Sequence, residues 1–183
     1  GHRCAQVMRD GGNAVDAAVA MAAMLCVVDS ANCGFAGYGG YMTVHFPGDR
    51  LAWVVDFNTS VPRTFDARHA ARAPKCGGIF MHGPLSVSVP AVPHGLEEAW
   101  RRFGSCRLDR LLAPAVDAAG CGFAVDDNLA RAIAWAARRQ TGFASEWPAI
   151  FCPDGIPLAQ GDRLVQRDLA DTLQAYAQDP STV

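Results

Sequence analysis

The longest apolar stretch of the chain is residues 14–28, interrupted only by Asp16. Gly11 and Gly12 break the chain ahead of it. Asn13 offers a side-chain oxygen to the first free backbone N–H groups, and Asp16 stands three residues on. This is the spacing of a capping box with Asp in place of Glu, and it predicts a helix over residues 14–28. Apolar residues surround most of its circumference, which requires burial on several sides. Its small Ala residues suit a helix pressed flat on a sheet. At 1.5 Å per residue it is about 22 Å long, short of the ~30 Å of a bilayer core. The preceding Arg9-Asp10-Gly11-Gly12 is no basic leader segment.

Further along, the period changes from helical to alternating. Residues 41–46 put Tyr41, Thr43 and His45 on one side and Met42, Val44 and Phe46 on the other, as a strand does. Residues 47–50 read as a turn and 51–57 as a second strand, giving a β-hairpin with a four-residue loop. Residues 58–93 are irregular and rich in Pro and Gly, with a possible short strand at 85–89. Helical spacing then returns. Leu96, Ala99, Trp100 and Phe103 mark one helix. Leu112, Ala115, Val116 and Ala119 mark a second over 109–119, with Pro114 in its first turns and Gly120-Cys121-Gly122 ending it. Leu129, Ile133 and Ala136 mark a third over 127–139, and Leu169, Leu173 and Tyr176 a last one over 167–178. Two strands and a strand-like segment are too few to cover these helices. The pattern predicts an α/β layered protein of which residues 1–183 form a single, partial domain.

Composition narrows the function classes. Hydrophobic residues make up 50% of the 183 and charged residues 19%, which excludes intrinsic disorder. The formal net charge of −2 gives no support for nucleic-acid binding, which wants a basic patch. Seven cysteines form no C-x-x-C pair, so they are expected to be mostly reduced and structural. The five histidines include no i, i+4 pair, so neither a metal nor a cofactor is expected.

Candidate chemistry is sparse. The glycine-rich segment from Gly34 to Gly40 offers backbone N–H groups to a phosphate. It follows a helix and precedes a strand, however, the reverse of the dinucleotide fingerprint. Close passage of the loop against another element is the reading favoured by its composition, and a nucleotide-binding domain is the rival. Arg63, Arg68 and Arg72 could grip a carboxylate, with surface arginines as the plainer reading. Glu97-Glu98 and Asp126-Asp127 read as solvated first turns of helices. No nucleophile motif is present.

Taken in order, these segments resemble the γ-glutamyltranspeptidase (glutathione hydrolase) family. Residues 11–20, Gly-Gly-Asn-Ala-Val-Asp-Ala-Ala-Val-Ala, resemble its early helix signature. Gly34 through Met42 resembles its glycine loop and G-F-M strand segment. Asp56-Phe57 with Pro62 matches the position of its D-F-R-E-x-A-P motif. Ser86-Val87-Ser88-Val89-Pro90 with Gly95-Leu96 resembles its V-P-G-x-x-x-G-L segment. Residues 111–115, 122–123 and 157–170 continue the likeness.

The resemblance implies an N-terminal-nucleophile (Ntn) hydrolase with a four-layer αββα sandwich, incomplete in this chain. It implies a precursor that cleaves itself into two subunits. A new N-terminal Thr on the small subunit attacks a γ-glutamyl or related acyl amide and passes the acyl group to water or an amine. The expected partners are that small catalytic subunit and the small-molecule amide, and the chain by itself is expected to be inactive. No membrane span is expected, and the compartment stays open. Two departures stand out. Asn58 occupies the position of the Arg that binds the glutamyl α-carboxylate, losing both charge and bidentate fork, and Tyr38 is inserted among the glycines. Asn58 and Thr59 are expected to line the acyl pocket, with Arg63 as a substitute cation. Gly37, Gly39 and Gly40 are expected to shape it. A non-catalytic binding or structural homologue is the alternative.

Overall fold

The computed structural model describes residues 2–66, 68, 87–139 and 146–182. Helix α1 (His2–Arg9) leads into α2 (Ala14–Val28). The capping box forms as the spacing predicts. Asn13 Oδ1 accepts from the backbone N–H of Val15 at 2.8 Å and of Asp16 at 3.0 Å, while Asn13 N–H donates to Asp16 Oδ2 at 2.8 Å. Asp16 then does more than cap. Its fully buried carboxylate also accepts the Ser105 hydroxyl at 2.6 Å and the N–H groups of Ser105 and Cys106. Burial alone raises the pKa of such a group. The hydrogen bonds from Ser105, Asn13 and Cys106 outweigh it and hold the carboxyl below its ordinary range.

Around α2 are wrapped α3 (Val92–Phe103), α4 (Leu108–Cys121) and α7 (Arg167–Gln178). The sequence suggests that α2 lies flat on a sheet. Instead α2 packs chiefly against α4, α1 and α3, and α4 in turn against α7. The core joins Val19, Ala23 and Val27 of α2 to Leu111, Leu112 and Ala115 of α4 and Leu173 and Tyr176 of α7. Tyr176 is buried with its hydroxyl donating to the Pro93 carbonyl at 2.6 Å, and its ring meets Phe35 edge-on at 5.0 Å. Helix α4 starts at Leu108, earlier than expected, because Leu108 is itself a core residue. Pro114 therefore lies inside the helix and removes the i+4 donor for the Arg110 carbonyl. Glu97 is likewise not in a first turn but inside α3, where it pairs with Arg101.

The predicted hairpin is present with shorter strands, β1 (Tyr41–Val44) and β2 (Trp53–Asp56), antiparallel, with Tyr41 opposite Asp56 and Val44 opposite Trp53. Residues 46–49 close a turn of their own, Asp49 N–H to Phe46 O at 3.1 Å, and Phe46 and Trp53 both turn toward Phe103. That ends the ladder early, and His45 is exposed rather than half-buried. One face of this sheet enters the core through Val44 and Val55. The other, carrying Tyr41, Thr43, Val54 and Asp56, is bare. Of the possible strand at 85–89, residues 85 and 86 lie outside the described residues; Val89 makes an isolated antiparallel bridge to Ser60.

A second, smaller core gathers Val125, Leu129, Ile133, Leu158 and Leu164. It belongs to α5 (Asp127–Arg139), the short α6 (Glu146–Phe151), and a two-stranded antiparallel sheet of β3 (Phe123–Ala124) and β4 (Arg163–Leu164). Asp126 begins α5 by accepting Leu129 N–H at 2.8 Å. The layout is α+β, with helices predominating and small antiparallel sheets. Among the described residues no helix is long and apolar enough to cross a membrane.

Candidate functional site

The glycine loop, the end of β2 and the start of α3 meet around one ring, that of Phe57. Gly39 has φ of +90°, and a Cβ there would stand 1.9 Å from the Phe57 carbonyl oxygen. Only glycine fits both the conformation and the approach. Gly40 and Phe57 then exchange backbone hydrogen bonds at 3.0 and 3.3 Å, extending the β1–β2 ladder by one pair. On the far side of the ring, a Cβ on Gly95 would meet Phe57 Cγ at 2.0 Å. Gly37 is constrained within the loop itself, its N–H bonded to Gly34 O at 2.9 Å. The glycines thus serve close packing, as their order between helix and strand implies.

This packing fixes the residue after Phe57. Asn58 N–H donates to Asp56 Oδ1 at 3.0 Å, Asn58 Oδ1 accepts Thr59 N–H at 3.0 Å, and Asn58 Nδ2 donates to the Tyr41 hydroxyl at 2.9 Å. The Thr59 N–H also reaches Tyr38 O at 2.8 Å, and the Thr59 hydroxyl donates to Val89 O at 2.7 Å. Asn58 is exposed and Thr59 half-buried. Two open cavities adjoin this corner. One, of about 690 Å³, runs between the outer stripe of α2 (Ala18, Ala22, Leu25) and Gly37, Gly39 and Tyr41. The other, of about 560 Å³, is lined by Asn58, Asp56, His94, Glu97, Glu98 and Arg101, among others.

Of the expected site residues, Asn58, Thr59, Gly37, Gly39 and Gly40 come together at this corner. Arg63 does not join them. It sits exposed in a turn closed by Phe65 N–H to Pro62 O at 2.9 Å, and it does not line the cavity beside Asn58. Arg68 is engaged by Asp66 at 2.6 Å, and Arg72 lies outside the described residues. Four residues at this corner were not read from the sequence as part of the site: Tyr41, Gly95, and Glu97 with Arg101, which pair at 2.8 Å. A tyrosine where the motif has Phe, and Gly95 within its own motif, were the available signals. Cys26 lines the larger cavity, but burial, with Cys33 nearby, pushes its thiol up to about 11, so it stays protonated at neutral pH. Among the described residues no group of three or more His, Cys, Asp or Glu side chains is placed to hold a metal ion.

With this geometry in view, comparison with known proteins gives a consistent result. The profile of the family described as Gamma-glutamyltranspeptidase matches residues 3–182. The chain is 33% identical over 183 residues to the Glutathione hydrolase proenzyme of Bacillus subtilis, covering 93% of this chain and 29% of that protein. It is 31% identical over 169 residues to the Capsule biosynthesis protein CapD proenzyme of Bacillus anthracis, covering 92% and 28%. The crystal structure of the Helicobacter pylori gamma-glutamyltranspeptidase superposes with a TM-score of 0.88 at 28% identity, over 98% of this chain and 51% of that one. The chain therefore spans under a third of the length of these curated relatives.

Proposed function

The chain belongs to the gamma-glutamyltranspeptidase family, and from that premise we propose that it is part of the large subunit of an Ntn amidohydrolase or acyltransferase. Residues 1–183 are one partial domain of an αββα sandwich. The bare face of β1–β2 is where the rest of the sandwich packs. The reactive group is the N-terminal Thr of a small subunit released from the same precursor, with its own α-amine as base. This chain's share of the chemistry is binding and orientation of an acyl amide. Asn58 and Thr59 line the acyl pocket beside Asp56, while Gly37, Gly39 and Gly40 set its wall by bringing the loop onto Phe57. Arg63, exposed on its turn, is the nearest candidate in sequence for the missing cation. Holding the amide in one pose matters because a positioned nucleophile gains an effective molarity of ~10⁵ M or more over one in solution.

The observation that carries this reading is positional. Asn58, at the Arg position of the D-F-R-E motif, stands at the junction of the glycine loop, β1 and β2, and it lines a cavity. Expression of the full open reading frame tests it. A denaturing gel is expected to show two subunits, with N-terminal sequencing of the smaller one beginning at Thr. Turnover of acyl-p-nitroanilides then follows in the cleaved form only. A precursor that remains whole, with no Thr at the expected junction, defeats the enzyme reading in favour of a non-catalytic homologue.

A further inference from the structure

Asn58 and Tyr41 both differ from the motifs they occupy. The G-F-M segment holds Phe where this chain has Tyr41, and D-F-R-E holds Arg where it has Asn58. Tyr41 adds a hydroxyl, Asn58 subtracts a charge, and the two new groups bond each other at 2.9 Å across the end of the sheet. The orientation of the Asn58 amide follows from its neighbours. The Thr59 backbone N–H can only donate, so the atom it meets at 3.0 Å is the amide oxygen, and the nitrogen faces Tyr41. The Tyr41 hydroxyl accepts that bond and keeps its own proton for another acceptor. Asn58 Nδ2 retains one further hydrogen. Each therefore keeps one uncharged donor hydrogen, and Tyr41 lines the larger cavity while Asn58 lines the smaller.

The charges around Asn58 select what its amide can hold. The cavity beside Asn58 is lined by three carboxylates, those of Asp56, Glu97 and Glu98. Its one arginine among the described residues, Arg101, is committed to Glu97 at 2.8 Å. His94 also faces Glu97, at 3.8 Å. Asp56 lies next to the donors and accepts Asn58 N–H. A substrate carboxylate placed here would meet a neighbouring anion, with no free cation among the described lining residues to offset the loss of its hydration. A carbonyl or hydroxyl oxygen takes the remaining Asn58 Nδ2 hydrogen with neither penalty.

Resting on the reading given under Proposed function, we propose that Tyr41 and Asn58 form one specificity-determining unit that accepts acyl groups ending in an uncharged oxygen acceptor, such as a carboxamide, and disfavours those ending in a carboxylate. Asn58 touches the acyl group, and Tyr41, whose hydroxyl accepts from Asn58 Nδ2 at 2.9 Å, is a positioning residue that holds the amide in place.

The experiment uses the self-cleaved two-subunit enzyme from the full open reading frame. Two probes differ at one group: γ-glutamyl-p-nitroanilide and the same compound with its α-carboxylate converted to the α-carboxamide. The expected result is a kcat/KM at least tenfold higher for the carboxamide. Asn58→Arg is expected to invert that ratio, and Tyr41→Phe to lower it about fivefold through KM with kcat little changed, as loss of one neutral hydrogen bond implies. A merely structural role for either residue would lower both substrates together and leave the ratio unmoved. A self-cleaved enzyme that prefers the carboxylate probe, turns over neither, or keeps its ratio in both variants overturns the specificity proposal alone. Failure to self-cleave overturns the enzyme reading beneath it.

Discussion

The described residues form two small antiparallel sheets, and these are finished to different degrees. The β3–β4 pair has only two residues on each strand, yet Leu164 is fully buried and Val125 and Leu158 close over it with α5. The β1–β2 pair is twice as long and better registered, yet Tyr41 and Val54 are more than 60% exposed on its outer face. Each sheet buries one face in a core, through Leu164 in one and Val44 and Val55 in the other; they differ in the outer face, which carries Ala124 and Arg163 in β3–β4 but Tyr41 and Val54 in β1–β2. The candidate site lies on the sheet with the more apolar outer face. The closed sheet carries none of the candidate site residues.

That contrast can be broken or sharpened by substitution, with stability read as the urea midpoint at constant slope. The largest effect is expected at Asp16, which ties the helix behind the open sheet to the α3–α4 connection. Asp16→Ala removes the charged acceptor of the Ser105 hydroxyl and of the Asn13, Ser105 and Cys106 N–H groups, and is expected to cost roughly 3–5 kcal/mol. On the closed side, Leu164→Ala should cost about 3 kcal/mol through lost burial and the cavity left behind. Gly39→Ala forces a left-handed backbone and a clash with Phe57 O. It should cost about 1–3 kcal/mol and move Asn58 off its corner, lowering acyl-p-nitroanilide turnover more than stability alone explains.

Val54→Lys is the sharper probe of the open face. In the isolated chain it should change stability by less than about 0.5 kcal/mol, as for other exposed positions. In the complete precursor it should reduce the yield of cleaved, active enzyme severalfold. Equal, negligible effects in both settings would show that nothing packs on that face. The smallest effect concerns pH. Asp16 is held below its ordinary value in the folded state, so its stabilisation is complete above the unfolded carboxyl value of about 4 and is lost as pH falls through the lower folded value. The urea midpoint of the parent should fall on acidification below about pH 4, and that of Asp16→Asn should fall less.

Legibility from sequence followed the range of the interaction. The α2 capping box could be read because Asn13 and Asp16 are three residues apart and act on each other. The second task of Asp16, meeting Ser105, spans 89 residues and leaves no local trace. The hairpin was visible in its alternation, and its register follows from Tyr41 opposite Asp56. Strands β3 and β4 are too short to show a period at all. Helix α1 has no acidic first turn to announce it, and α6 carries a Pro among only six residues. At the site, Asn58 could be located because a motif surrounds it. Tyr41 lies 17 residues away on the neighbouring strand, and only the fold brings the two together. Arg63 was placed by sequence proximity alone, and it stands exposed on the turn at residues 62–65.

The long reach of the Asp16 and Asn13 contacts also has a temporal side. Asn13 Nδ2 donates to the Phe103 carbonyl at 2.7 Å, and Asp16 binds Ser105 and Cys106. While the polypeptide is being synthesised, the start of α2 leaves the ribosome some ninety residues ahead of the groups that lock it. Its apolar surface must wait, capped locally but unclasped, until the α3–α4 connection emerges. Slowing translation before residues 103–106 have cleared the ribosome should lengthen that wait and raise the demand for chaperones, whereas a pause after they have cleared it should not.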